Sequence, residues 1–463
     1  MVRVISQETY DEVVKENMDE LDMTPEEAIK EAIAQFEAQG VDLSNIMKDL
    51  ALGSGDDHLI SVIVCKLKES IKVDQDEALN HLDIFINECN KDIAHRLKAG
   101  KDGAYNVLIE LLESKYKAYT TDLCKDEQVL VKVIDSVVSL LNGQPDLLDQ
   151  NGVHLIKRLL DNTNNAEILT ATLRLINVCC LKHEKNRQNI YNTNIIDNLK
   201  HILSVKENKK LLGECLQVVR RLCLDDDVRI EFGKAHEHAR ELGSHLLEQL
   251  TILLQENTKP PLVSELMLTM ATLLVRNELC AKVAEADNGV LFTVLADNFD
   301  NVGVVQQANK LIAALAGNDD VKRQLVKSGI VPVSVALLSR HCSNPTATAL
   351  SLKCIAALTL REPSHSVQFV ENGVAEAIVH CLKVHQHNAT VQKNGCWAVR
   401  NIVARCRDLN AKFLELGIEA VLTKTLELFS SEFGFDIKSA LRDLECDVKL
   451  DEQWTGKGVE IDQ

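Results

Sequence analysis

Asn372-Gly373-Val374-Ala375-Glu376-Ala377-Ile378-Val379-His380-Cys381-Leu382 is one copy of a phrase that recurs along the chain. A polar residue and a glycine come first, then Val374, Ile378, Val379 and Leu382 form an apolar stripe at helical spacing. A polar stretch follows, and then a second, longer apolar helix from Thr390 to Ala404. The opening returns as Asn151-Gly152-Val153, Asn288-Gly289-Val290, Ser328-Gly329-Ile330 and Leu416-Gly417-Ile418, with weaker copies at Gly103 and Gly243. At Asn194-Ile195-Ile196 an asparagine, the other residue that tolerates a left-handed backbone, takes the glycine's place. Successive markers lie 40 to 49 residues apart. The longer helix repeats as Ala166 to Cys180, Leu211 to Leu224, Glu265 to Val275, Val304 to Ala316 and Thr346 to Leu360. A unit this small cannot bury its own apolar face, so the units must stack into one continuous core.

Composition agrees with an all-helical reading. Of 463 residues only 20 are Gly, 7 are Pro and 17 are aromatic, too few for the turns and strands of a sheet protein. Apolar residues at 46% and charged residues at 26% are those of a folded, water-facing chain. No apolar run approaches the ~18 residues of a membrane span. Met1 to Tyr10 lacks the basic start and apolar run of a signal peptide, so the expected location is the cytosol, with the nucleus as a second compartment.

The net charge of −18 is concentrated at the ends: −9 in residues 1–50 and −6 in residues 426–463. That balance opposes phosphate-neutralising nucleic-acid binding. Fourteen cysteines with no Cys-x2-Cys spacing read as reduced thiols, not as a disulfide or zinc framework. His236-Glu237-His238 and His183-Glu184 start like zincin motifs, but Arg240 and Arg187 stand where the second ligand belongs. His380, Cys381, His385, His387 and Cys396 cluster in sequence, yet Cys381 fits an apolar stripe and reads as core. Phosphate loops and a nucleophile elbow are absent. No catalytic residue, metal or cofactor is expected, and the chain is read as a non-enzyme.

The period in the forties is that of armadillo and HEAT repeats. Trp397-Ala398-Val399-Arg400-Asn401-Ile402 resembles the armadillo family's Trp-Ala-Leu-x-Asn-Leu, and the resemblance spans about residues 75–445. It implies a right-handed α-solenoid of about eight or nine armadillo-like repeats. Gln7-Glu8-Thr9-Tyr10, Gln35 to Ile46 and Ala440-Leu441-Arg442-Asp443-Leu444 narrow the resemblance to one branch of that family. The expected organisation is an acidic N-terminal helical pair in 1–52, a repeat array in 57–445 and a flexible tail in 446–463. Thr24-Pro25-Glu26-Glu27 carries the capping-box signature, and Gly53 to Asp57 is the expected joint between pair and array.

The family's fold implies a scaffold that takes a partner segment along its concave groove. A client-specific chaperone or assembly factor is the alternative, and an importin-like carrier of basic peptides ranks third. The carrier needs Trp and Asn ladders, but those positions read Leu173, Gln217, Lys310, Lys353, Trp397 and Asn177, Arg221, Ala314, Ala357, Asn401. Arg221, Lys310, Lys353, Trp397, Arg400 and Asn401 are therefore the expected groove residues, and an acidic extended protein segment the expected partner of a monomer. His236 and His238 resemble a His-x-His motif methylated on a ring nitrogen, and the resemblance implies that modification, although Glu237 departs from the small middle residue favoured there.

Overall fold

The computed structural model describes residues 3–46, 48, 58–70, 75–121, 127–286 and 289–449. The expected joint at 53–57, the marker Asn288 and most of the expected tail lie outside them. The described residues are helical without a strand; an isolated bridge joins Arg3 to Val41. They fall into two compact units, 1–249 and 250–463.

In the first unit, α1 (Gln7–Glu20) and α2 (Pro25–Ala38) form the N-terminal pair. Ser6 caps α1, and Thr24 and Glu27 close a complete capping box on α2. Tyr10, Val14, Ala28, Ala32, Phe36, Val41 and Leu43 give the pair its own small core. Leu21, just past the end of α1, is 57% exposed.

Four longer helices then stack side by side: α3 (Gln75–Cys89), α4 (Glu127–Leu141), α5 (Ala166–Cys179) and α6 (Lys209–Leu222). The second unit stacks five: α7 (Leu262–Leu273), α8 (Val302–Leu315), α9 (Pro345–Thr359), α10 (Ala389–Val403) and α11 (Ile418–Asp443). Shorter helices such as Ile330–Arg340 and Val374–Val384 back these inner helices, so each repeat buries its stripe largely against its neighbours.

One starting device repeats. Asn165, Asn208, Asn301, Asn344 and Asn388 each stand at the N-cap of an inner helix, the side-chain oxygen accepting a backbone N–H of the first turn. Gly329 and Gly373 begin their short helices with φ of 95° and 84°, the left-handed region where a side chain is strained. Gly152 departs from the expected turn. It lies inside the helix Gln150–Asn162, where a Cβ would come within 2.5 Å of the Tyr105 hydroxyl and 2.8 Å of Leu148. That marker is a point of close approach.

At the far end α11 breaks from helical geometry at Phe429 and Phe433, whose rings stack 5.4 Å apart. Phe433 is buried as a seal on the last repeat, but Phe435 is 51% exposed.

Two mid-helix glycines make opposite predictions. A Cβ at Gly395 of α10 would collide with the fully buried Leu382, whereas one at Gly213 of α6 meets nothing within 4 Å. Urea unfolding should show Gly395→Ala losing about 1–3 kcal/mol through overpacking. Gly213→Ala should gain about 0.5–1 kcal/mol from helix propensity.

Candidate functional site

The inner helices turn one line of residues to solvent. On α8, α9 and α10 that line passes through Lys310, Lys353 and Trp397, successive positions 43 and 44 residues apart. Lys353 is exposed, and Lys310 and Trp397 are half-buried. The Lys393 ammonium sits 5.2 Å from the centre of the Trp397 ring, a cation–π contact. Neither Lys353 nor Lys393 makes an ion pair among the described residues.

Two expected groove residues are already engaged. Asn401 donates from Nδ2 to the Ala356 carbonyl at 2.9 Å, joining α10 to α9 as Asn394 does through Ala349 at 2.8 Å. Arg400 Nε lies 3.6 Å from Asp443, a buried carboxylate that also holds Arg407 at 3.3 Å and Arg442 at 2.9 Å. Both residues strengthen the joints between repeats. Arg221 belongs to the first unit; the other five belong to the second.

The expected register slips by one residue on α5. Leu173 is fully buried and Asn177 is 6% exposed, while Arg174 and Val178 hold the half-buried positions facing Gln217 and Arg221. Charges along this first wall pair across helices: Lys132 with Asp83 at 2.5 Å, and Arg174 with Asp135 at 3.0 Å. Asn177 donates to Glu214 at 3.0 Å. Arg221 is the exception, with no acceptor for its buried Nε.

Here the chain's N-terminal arm meets the array. Ser44, Asn45 and Ile46 line a cleft of about 480 Å³ together with Arg174, Asn177, Glu214, Gln217, Arg221 and Arg229. Asn45 donates to Asp227 at 2.8 Å and to the Lys182 carbonyl at 3.2 Å, and Lys182 Nζ reaches the Ser44 carbonyl at 3.0 Å.

A buried ionic network fixes the loop that receives this arm. Arg187, 1% exposed, donates to Glu184 at 2.8 Å, to Asp226 at 2.5 Å and to the Cys180 carbonyl at 2.9 Å. Asp227 accepts from the Glu184 backbone at 2.9 Å and from Arg229 at 2.8 Å, and Arg229 reaches on to Asp146 at 2.9 Å. The hydrogen bond with His183 outweighs burial and, with Arg229, holds the Asp146 carboxyl at about 2. Phe232, 82% exposed, rides on the same loop.

The histidines of the His-x-His motif differ. His236 is exposed, whereas His238 is 6% exposed, stacked 3.8 Å from the Tyr191 ring, with its Nδ1 2.9 Å from the Leu222 carbonyl. Burial lowers the His238 pKa. The cysteines of the His/Cys cluster are core: Cys381 and Cys396 are fully buried, and burial pushes the Cys381 thiol up to about 12. His385 is tied to the Cys342 carbonyl at 2.7 Å. Among the described residues no three His, Cys, Asp or Glu side chains gather as metal ligands, and no helix is long and apolar enough to cross a membrane.

Burial opposes the charge on Glu184, but bonds from Gln188, the Lys234 amide and Arg187 outweigh it and hold its pKa below the ordinary value. Folding therefore favours the ionised form: the stability it adds is complete above the usual carboxylate range and drains away as pH falls through the lowered value. Arg187→Ala should cost about 3–5 kcal/mol at neutral pH by stranding a buried carboxylate. In urea titrations the gap to the parent should narrow below about pH 4, where carboxyl groups protonate.

Comparison with known proteins places the chain. Residues 2–79 match the armadillo repeat-containing protein 6 N-terminal domain, and residues 60–461 match the ARMC6 family. The armadillo repeat-containing protein 6 homolog of Drosophila melanogaster is 42% identical over 462 residues, 98% of each chain. The Homo sapiens armadillo repeat-containing protein 6 is 34% identical over 384 residues, covering 78% of this chain and 75% of that one. An engineered protein solved by a structural genomics consortium aligns over 95% of this chain and 99% of its own, with a TM-score of 0.65 at 18% identity. A chain solved in work on a phosphorylation switch controlling the cadherin–β-catenin interaction aligns over 82% and 68%, with a TM-score of 0.58 at 15% identity. The fold is an all-α, armadillo-type solenoid, and the chain belongs to the armadillo repeat-containing protein 6 family.

Proposed function

We propose that this protein is a non-enzymatic interaction scaffold whose second unit binds an acidic, extended partner segment along the solvent line of α8, α9 and α10. Lys310 and Lys353 attract its carboxylates, and Trp397 packs against its side chains. What carries the reading is that Lys353 and Lys393 have no carboxylate partner among the described residues, whereas Lys132 and Arg174 on the first wall are paired. Unpaired bases on one face steer acidic ligands and speed their encounter. Arg400 and Asn401 act at one remove, by holding α10 in place. The family and fold support the general role, since a stacked array presents long surfaces to other proteins. The proposed setting is the cytosol, with residues 1–52 as an accessory segment and exposed His236, ahead of His238, as the methyl acceptor.

The test is a double charge reversal, Lys310→Glu with Lys353→Glu, assayed against partners captured from cell extract across a salt series. Binding should fall at least tenfold at low salt, and its salt dependence should flatten. Unchanged capture with unchanged salt dependence removes this wall as the functional surface. A single stoichiometric client, in place of several exchanging partners, would favour an assembly factor over an adaptor.

A further inference from the structure

An asparagine followed by glycine is chemically exposed in a way that other pairs are not. Glycine has no Cβ to keep its backbone nitrogen away from the asparagine side-chain carbon. This chain carries five such pairs, and four of their asparagines lie among the described residues: Asn142, Asn151, Asn372 and Asn394.

Three of the four are held shut. Asn394 and Gly395 are buried inside α10, with Asn394 Nδ2 donating to the Ala349 carbonyl at 2.8 Å. Gly152 is buried in the first turn of Gln150–Asn162, and its N–H donates to the capping Asp149 Oδ1 at 2.8 Å. Asn372 is exposed, but its Nδ2 donates to the Gln368 carbonyl at 2.8 Å, and the Gly373 N–H donates to the Val370 carbonyl at 3.0 Å.

Asn142-Gly143 is the open pair. It turns the chain just after α4, with Gly143 at φ 84°, the same left-handed value as Gly373. Both residues are exposed. Neither the Gly143 N–H nor the Asn142 side chain has a hydrogen-bond partner among the described residues. The turn is held only through its neighbours: the Asn142 N–H donates to the Val138 carbonyl at 3.1 Å and the Gln144 N–H to the Leu141 carbonyl at 2.9 Å.

We propose that Asn142 is a self-modifying site, converted with age into isoaspartate and aspartate. The Gly143 backbone nitrogen gives up its proton and attacks Asn142 Cγ. A new N–Cγ bond closes a succinimide ring, and the Cγ–Nδ2 bond breaks to release ammonia, which carries that proton away. Water then opens the ring. Addition at Cγ returns the chain to its ordinary course as aspartate. Addition at the Asn142 backbone carbonyl leaves isoaspartate, in which the chain runs through the former side chain and is longer by a methylene.

The new carboxylate appears where bases gather. Asn142 and Gly143 line the cleft of about 480 Å³ together with Arg174, Lys182, Arg221 and Arg229. Arg174 and Arg229 already face Asp135, Asp146 and Asp227. Lys182 has no carboxylate partner among the described residues and donates to the Ser44 carbonyl of the N-terminal arm. Ageing thus changes the charge of the wall on which that arm is seated.

The test is peptide mass spectrometry of the full chain, incubated in mildly alkaline buffer at body temperature beside a sample unfolded in urea. Isoaspartate is scored separately, by methyl label transferred from S-adenosylmethionine by a purified isoaspartyl carboxyl methyltransferase. In the folded chain the Asn142 peptide should convert at least about tenfold faster than the Asn372 peptide, where two hydrogen bonds must open before the ring can close. Peptides over Asn151 and Asn394 should stay intact over the same period. The Asn142 peptide should take up label, and Asn142→Gln, which would need a larger ring, should take up none there. In urea the four rates should converge, because only the fold separates them. An Asn142 that stays intact in the folded chain while converting in urea overturns the proposal. So does an Asn372 that converts as fast as Asn142. Conversion of Asn142 without methyl label would mean direct hydrolysis of the side chain, and overturns the ring-closing route.

Discussion

Side-by-side packing of the long inner helices is the contact on which everything else in this chain depends. Within the second unit α8 lies against α7 and α9, and α9 against α8 and α10, so a repeat's apolar stripe is covered by its neighbours. Stability is then a sum of local interfaces, and each residue that locks one interface matters beyond its own contacts. Asn401 on the Ala356 carbonyl and Asn309 on the Ser351 hydroxyl, 2.9 Å each, are such locks. They satisfy buried polar groups across the joint and so set the register of one helix on the next.

This dependence explains why the fold was legible in the sequence and the site much less so. The period, the glycine markers and the longer apolar helices are local patterns, and each repeat states them again. The inner helices therefore fall within a few residues of where the apolar pattern puts them, as with Ala389–Val403 against an expected Thr390 to Ala404. The same averaging hides exceptions. The ladder register carried back from Trp397 and Asn401 puts Leu173 on the solvent line, but on α5 Leu173 is buried and Arg174 takes that place. The Arg174–Asp135 pair, once recognised as a cross-helix contact, was the available signal.

Long-range contacts were out of reach for a different reason. Asn45 and Asp227 are 182 residues apart, and nothing in either local pattern announces the other. The acidic run Asp225-Asp226-Asp227 with Arg229 stands in the loop after α6, and the sequence reading passes over it. Its chemistry appears only when Arg187 and Glu184, both nearly excluded from solvent, are found beneath it. Buried charges of this kind are weak contributors to net stability but costly to disturb, which suits them to fixing one loop conformation. Arg400 and Asn401 are the converse case: they match the family phrase, and the structure engages them between repeats.

The scarcity of aromatic residues has an optical consequence. The chain has only two tryptophans, and one of them, Trp397, lies half-buried on the solvent line of α10 under the Lys393 ammonium. Light absorbed by indole in this protein is therefore absorbed in large part on the very surface where an occupant would lie. Covering that ring, or drawing the lysine off it, changes the polarity around an emitting group without any label being attached. The protein carries its own lamp on that wall.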